Sequence, residues 1–275
     1  MSNNGQNGNG GSGNGNGGNG KKAAELLRGA EDDGVLSPKS TQVLALVDPG
    51  AQIQAALGVS VDDVQASEVL LVTMMPDDSG SIRFAGNAQA VRDGHNLVLA
   101  ALARSKQGDN VLAHTRYLNG TILYPYCPID QALRMDSQNY DPSLGTPLYD
   151  QALLCLGTVI AKAQEFADAG VAVRTVTLLI TDGADEGSRR ARAADVAQLV
   201  RDMGRAEIHT VAAMGISDGK TDFRRIFREM GIEDRWILTP GSGESEVRRA
   251  FQVFSQSAVQ LGQGAFTGGL AGFVN

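Results

Sequence analysis

The chain has only two cysteines, Cys127 and Cys155, in 275 residues. That is too few for a disulfide framework, and the pair lacks the spacing of a zinc site. A reducing, cytoplasmic setting is the simplest expectation. Cys155 shares a helical stripe with Leu148, Ala152 and Val159, so it reads as a small buried hydrophobe. Aromatic residues are scarce, at 5% with one tryptophan, and the net charge is −7. Nucleic acid asks for a basic face, and single strands ask for aromatic stacking platforms among the basic residues, so no nucleic-acid partner is expected. No apolar run approaches the roughly 20 residues of a membrane helix. The opening stretch has neither an apolar h-region nor an early basic cluster, so neither a signal peptide nor membrane association is expected.

Glycine and asparagine dominate residues 1–20. With nothing to bury, this stretch is expected to be a disordered tether. Residues 21–66 read as a short helical extension that packs on the main domain. Helices are expected over Lys21–Ala30, over Lys39–Val47 behind a Ser37 cap and Pro38, and over Ala51–Leu57. The main domain spans 67–262, and 263–275 form a glycine-rich tail. Within the tail, Phe266, Leu270 and Phe273 leave open a docking peptide or a frayed end.

From Ser67 onward, strand and helix alternate. Val69–Met75 is a short apolar run of the buried-strand kind, and Val173–Ile180 and Ile208–Met214 read as further buried strands, the former rich in β-branched residues. Val111–Tyr117 and Thr121–Tyr126 flank Asn119-Gly120, which predicts a hairpin with a type I′ turn. Phe84, Ala88, Val91, His95, Val98 and Leu102 recur at helical spacing, as do Val247, Phe251, Phe254, Ala258 and Leu261. A long helix is expected over Thr146–Ala167, with others over Arg189–Met203 and Asp222–Met230. Trp236–Leu238 reads as a short strand. The pattern predicts an α/β fold: a doubly wound, mostly parallel open sheet, helices on both faces, one antiparallel edge strand and the helical N-terminal extension.

In such a sheet, ligands bind beyond the carboxyl ends of the strands. Three segments fall there: Asp77-Asp78-Ser79-Gly80-Ser81 after the first buried strand, Thr181-Asp182-Gly183 after a later one, and Gly145-Thr146-Pro147 opening the long helix. Each alone reads as a cap or an ordinary turn. Together they offer two carboxylates and three hydroxyls, the hard oxygens that a divalent cation prefers. This donor set cannot fill an octahedral shell, so water or a partner oxygen must complete it.

D-x-S-x-S after a first strand, a later Thr opening a helix, and T-D-G after a buried strand resemble the metal-ion-dependent adhesion site of the von Willebrand factor A (vWA) family. The resemblance covers roughly residues 67–262 in the family's order. It implies a Rossmann-like fold and a metal site on Asp77, Ser79, Ser81, Thr146 and Asp182. It further implies Mg²⁺, with Mn²⁺ or Ca²⁺ as alternatives, serines that ligate directly and carboxylates that act through water. The partner it implies is a protein that presents Asp or Glu to the metal. An intracellular adaptor beside an AAA+ ATPase, or in a stress or defence assembly, follows by family analogy. Pro76 departs from the family's aliphatic residue, and Ile82 from its methionine. Asp78, Asp185 and Glu186 read either as additional attraction for a cation or as solvated loop acids.

No catalysis is expected. A Mg-dependent, haloacid-dehalogenase-like phosphatase would need a second Asp where Ser79 stands, and no phosphate-gripping lysine accompanies the motif. That reading and a metal-independent structural or assembly role are the alternatives. His95 and His209 are expected in the core or in a strand, and the Arg189-Arg190, Arg224-Arg225 and Arg248-Arg249 pairs on solvated helix faces.

Overall fold

A computed structural model of the chain describes residues 16–48, 50–263 and 272–273. Its strands are β1 (Glu68–Met75), β2 (Val111–Arg116), β3 (Ile122–Pro128), β4 (Ala172–Thr181), β5 (His209–Gly215) and β6 (Ile237–Leu238). They form one sheet in the order β3-β2-β1-β4-β5-β6. Every neighbouring pair is parallel except β2 and β3. The helices among the described residues are α1 (Asn16–Asp32), α2 (Pro38–Val47), α3 (Ala51–Ala56), α4 (Gly80–Phe84), α5 (Ala88–Ala103), α6 (Leu148–Asp168), α7 (Ala193–Arg205), α8 (Phe223–Glu229) and α9 (Glu244–Gly262). This is the expected doubly wound sheet with one antiparallel edge strand.

The apolar runs become strands because both of their faces are covered. All of β1 after Glu68 is buried. Val69 and Leu71 join Ala163 and Phe166 of α6, while Leu70, Val72 and Met74, which alternate with them, belong to the other core cluster. The crossover β1–α5–β2 runs to one side of β1, and β4–α7–β5 runs the other way. Right-handed crossovers in opposite directions place their helices on opposite faces. α9 returns to pack against α5, where Gly94 lies so close to Phe251 that a Cβ would stand 2.0 Å from its ring.

The N-terminal helices form a second layer over α6, which is buried continuously from Ala152 to Phe166. Burial on all sides requires that its polar residues be paired. Lys162 reaches the carbonyl of Val59 and, at 2.9 Å, Glu165, which also takes Lys22 at 3.1 Å. On α7, the fully buried Asp202 accepts from the Ser37 N–H at 3.0 Å and from the hydroxyls of Ser37 and Ser40 at 2.6 and 2.5 Å. Ser37 also caps α2, with Pro38 in its first turn, as the sequence predicts.

Five local expectations are revised. The helix expected over Arg189–Met203 starts at Ala193, so Arg189 and Arg190 lie in the loop before it, where Arg190 donates to the Val47 carbonyl at 2.7 Å. α1 begins at Asn16, inside the Gly/Asn tract, because extending a formed helix needs no new nucleus; residues 1–15 of that tract lie outside the described residues, as do Phe266 and Leu270 of the tail. The β2–β3 hairpin forms, but its turn is not type I′. Gly120 alone is left-handed, at φ 96, in a three-residue loop closed by Tyr117 N–H to Thr121 O at 2.8 Å, and Asn119 is engaged elsewhere. The long helix starts at Leu148, because Pro147 has a non-helical ψ of 62, so Thr146 stands before the helix. Phe84 leaves the stripe of α5, because Gly86, at φ 75, turns the chain between α4 and α5.

Candidate metal centre

The order of the strands reverses between β1 and β4, the switch point at which doubly wound sheets open a crevice at their carboxyl edge. Met75 and Leu179 are paired in register there, so Asp77 and Thr181-Asp182 emerge side by side. Pro76 follows the last residue of β1 and costs no ladder bond; its carbonyl accepts from Leu118 N–H at 3.0 Å.

Asp77 is fully buried and organises the edge. Its Oδ1 accepts from Ser79 N–H at 2.7 Å. Its Oδ2 accepts from the Thr181 hydroxyl at 2.7 Å and from Asp182 N–H at 3.3 Å. Its carbonyl takes the hydroxyl of Tyr140, itself buried. Ser81 is exposed and donates to Asp182 Oδ1 at 2.5 Å. Ser79 Oγ lies 2.8 Å from Ser81 Oγ and 3.5 Å from Asp182 Oδ1. Thr146 joins from the far side, with its hydroxyl 4.0 Å from where a Cβ on Gly183 would stand. No hydrogen bond links that hydroxyl to the other four residues. All five residues expected from the sequence therefore converge on one edge.

Electrostatics at this edge are unbalanced. Burial raises the carboxyl of Asp77 above its ordinary value, against the pull of its hydrogen bonds. Burial also pushes Asp182 up to about 6, with the charge of Asp77 adding and the Ser81 bond opposing. Asp78 rises to about 6, again through burial first. No ion pair among the described residues involves any of the three. Carboxylates packed together without a cation favour either protons or a metal.

The donor set fits a small divalent ion. Octahedral Mg²⁺, with bonds of roughly 2.1 Å, sets neighbouring oxygens roughly 3 Å apart. The edges of the Ser79–Ser81–Asp182 triangle, at 2.8, 2.5 and 3.5 Å, bracket that spacing. Among the described residues no three His, Cys, Asp or Glu side chains are grouped to hold a metal, so any cation here would depend on hydroxyl and water oxygens beside the carboxylates. The oxygens of Asp77 already face three protein donors, which suits a role through water.

Residues around the site divide by role. Asp78 is not a free acid: the N–H of Asn119 donates to its Oδ1 at 3.0 Å and the side-chain amide to its Oδ2, fixing the hairpin loop against the site. Asp185 accepts from Ser188, whose Oγ in turn caps the Tyr149 and Asp150 N–H groups at 3.0 Å. Asp150 accepts from the N–H groups of Arg189, Arg190 and Ala191. The 183–191 loop is thereby tied to the start of α6 and to Thr146, whose carbonyl accepts from Glu186 N–H at 3.0 Å. Thr181, Tyr140 and Asn119 support the site in roles that the sequence does not announce. Thr181 is the first residue of the T-D-G motif, and Asn119 reads locally only as half of a hairpin turn; Tyr140 carries no local signal. His95 is a core residue, bonded to Thr115 at 3.0 Å.

No family model matches this sequence, and no curated protein matches it. Solved structures do. The pilus adhesin SpaC from Lactobacillus rhamnosus GG, in its open conformation, aligns at a TM-score of 0.52 and 14% identity over 71% of this chain and 30% of the adhesin. A von Willebrand factor type A protein from Catenulispora acidiphila aligns at 0.45 and 18% identity over 71% of this chain and 43% of that one. The SpRpn10 VWA domain aligns at 0.45 and 9% identity over 72% of this chain and 98% of the domain. The likeness to the adhesin is one of fold, and this chain spans less than a third of the adhesin's length.

Proposed function

We propose that this chain is a metal-dependent protein-binding module. A divalent cation, Mg²⁺ or in its place Mn²⁺ or Ca²⁺, is held by Ser79, Ser81, Thr146 and Asp182 directly and by Asp77 largely through water. Its open position takes an Asp or Glu carboxylate from a protein partner. The observation that carries this reading is the triangle of Ser79, Ser81 and Asp182 oxygens at the switch point, set among buried acids with no cationic partner among the described residues. A fold shared with a pilus adhesin agrees with a binding role. An adaptor role beside an AAA+ ATPase, in a cytoplasmic assembly, rests on the vWA resemblance alone.

We propose no catalytic role. Position 79 carries a hydroxyl where a phosphatase of the haloacid-dehalogenase kind needs a second Asp. The nearby Arg83 is held by Asp141 at 2.6 Å and the Pro142 carbonyl at 2.7 Å. Calorimetric titration of Mn²⁺ and Mg²⁺ into metal-free protein, with Ser81→Ala alongside, tests the reading. Saturable binding that weakens at least about tenfold in the variant is expected. Equal binding by both proteins removes Ser81 from the site, and no binding by the wild type overturns the metal.

A further inference from the structure

Two of the large apolar side chains exposed on this protein flank the proposed metal site. Phe84, at the end of α4, is 90% exposed, and Leu144 is 53% exposed. The Phe84 ring lies against Gly80, where a Cβ would stand 3.6 Å from Phe84 Cε2. Leu144 bridges Ser79, and its carbonyl accepts from Gly80 N–H at 3.0 Å. Gly80 sits between Ser79 and Ser81, so both apolar residues border the turn that carries the hydroxyl pair. A lone exposed hydrophobe needs no explanation, but two around one glycine at a binding edge do. The basic group between them does not compete: Arg83 is engaged by Asp141 and the Pro142 carbonyl.

Resting on the metal-binding reading above, we infer that Phe84 and Leu144 form an apolar rim that selects the residue beside the partner's carboxylate. The occupant is an extended acidic peptide segment of a protein, with a large apolar side chain two positions from its Asp or Glu. Charge limits what can sit here. Asp77, Asp78 and Asp182 crowd the edge, with Asp185, Glu186 and Asp218 in the adjoining loops, so a peptide carboxylate is repelled until a divalent cation complements it. In an extended segment, residues i and i+2 face the same side roughly 7 Å apart. One then reaches the cation while the other covers Phe84 and Leu144.

The test uses the full chain and two short fluorescent peptides that differ at one position, Glu-Ser-Phe against Glu-Ser-Ser, each titrated with Mn²⁺ or with chelator. With Mn²⁺ the phenylalanine peptide is expected to bind about tenfold tighter, the gain from burying about half an aromatic side chain. A Phe84→Ser/Leu144→Ser variant is expected to bind the two peptides alike while its Mn²⁺ affinity, read by calorimetry, stays unchanged. Equal affinities in the wild type, or a preference that survives in the double variant, overturns the rim. Mn²⁺ bound with neither peptide captured overturns the rim and leaves the metal site standing. No Mn²⁺ bound by the wild type overturns the metal reading, and the rim falls with it.

Discussion

Replacing Asp182 with asparagine should stabilise the metal-free protein, although the substitution removes a carboxylate from the proposed site. Asp182 is 4% exposed, and its carboxyl is pushed up to about 6 by burial first, with the charge of Asp77 adding to it. At pH 7 it is therefore held ionised in a place that disfavours the charge. A rise from 3.8 to about 6 corresponds to about 3 kcal/mol of unfavourable free energy in the folded state. The sign follows from proton counts. Between those two values the folded form binds more proton than the unfolded form, so this contribution favours folding at acid pH and is lost as pH rises through 6. Asparagine keeps an oxygen for the Ser81 hydroxyl and drops the charge. Allowing for an imperfectly placed amide, a gain of about 2 kcal/mol is expected, roughly 4–8 °C in melting temperature for a domain of this size. Thermal melts at pH 7 in chelator, repeated with Mn²⁺, measure it. Mn²⁺ at 100 times its dissociation constant should raise the wild type by about 2.7 kcal/mol and leave the variant nearly unmoved, so the order of the two melts reverses. A metal-free Asp182→Asn protein that melts below the wild type refutes the reasoning.

Two further predictions concern the scaffold. Burial lowers the fully buried His95 to about 4. Here the unfolded chain takes up the proton first, so the stability from neutral His95 is complete above pH 6.5 and is lost as pH falls toward 4. In denaturant titrations, wild type should lose about 2 kcal/mol more than His95→Gln between pH 7 and pH 5, and parallel losses would contradict this. Gly94→Ala should destabilise by about 2 kcal/mol despite the better helix propensity of alanine, because its Cβ would stand 2.0 Å from the buried Phe251 ring. A neutral or higher melting temperature would show that α9 shifts freely over α5.

The fold was legible where the signal is local. Val69–Met75 is apolar at every position but Thr73 and is buried on both faces, as is Val176–Ile180, and such runs record that directly. Part of the candidate edge was legible for a related reason: Asp77 and Asp182 each follow a buried strand within a residue or two, and parallel strands bring their carboxyl ends to one edge. What stayed hidden depends on pairs far apart in sequence. Asp202 is a mid-helix acid in the sequence, and only the folded chain shows the Ser37 and Ser40 hydroxyls that satisfy it. The hairpin dipeptide predicted the wrong turn because Asn119 is pinned by Asp78, a contact the local sequence does not encode. Phe84 matched the helical period of α5 and still ended at the surface, since one left-handed glycine outweighs a periodicity that continues on both sides of it.

The same hydrogen bonds that build the site decide how it can be probed. Asp77 invites substitution as the central acid, yet its carboxylate accepts from Ser79 N–H, the Thr181 hydroxyl and Asp182 N–H. Alanine there would strand the buried N–H groups of Ser79 and Asp182 at about 1–3 kcal/mol each and leave the Thr181 hydroxyl only the Gly183 carbonyl at 3.0 Å, enough to loosen the β1–β4 edge, so lost binding would not separate a missing ligand from a damaged scaffold. Thr146 is the opposite case. It precedes α6 with its backbone tied to the 183–191 loop, and its hydroxyl makes no hydrogen bond to the other described residues. Thr146→Val keeps the shape and removes only that oxygen. If the hydroxyl is reserved for a cation, the variant should melt within about 0.5 kcal/mol of the wild type in chelator and bind Mn²⁺ at least about tenfold more weakly. Unchanged Mn²⁺ affinity would remove Thr146 from the site, whereas a large loss of stability in chelator would mean that the hydroxyl serves the fold.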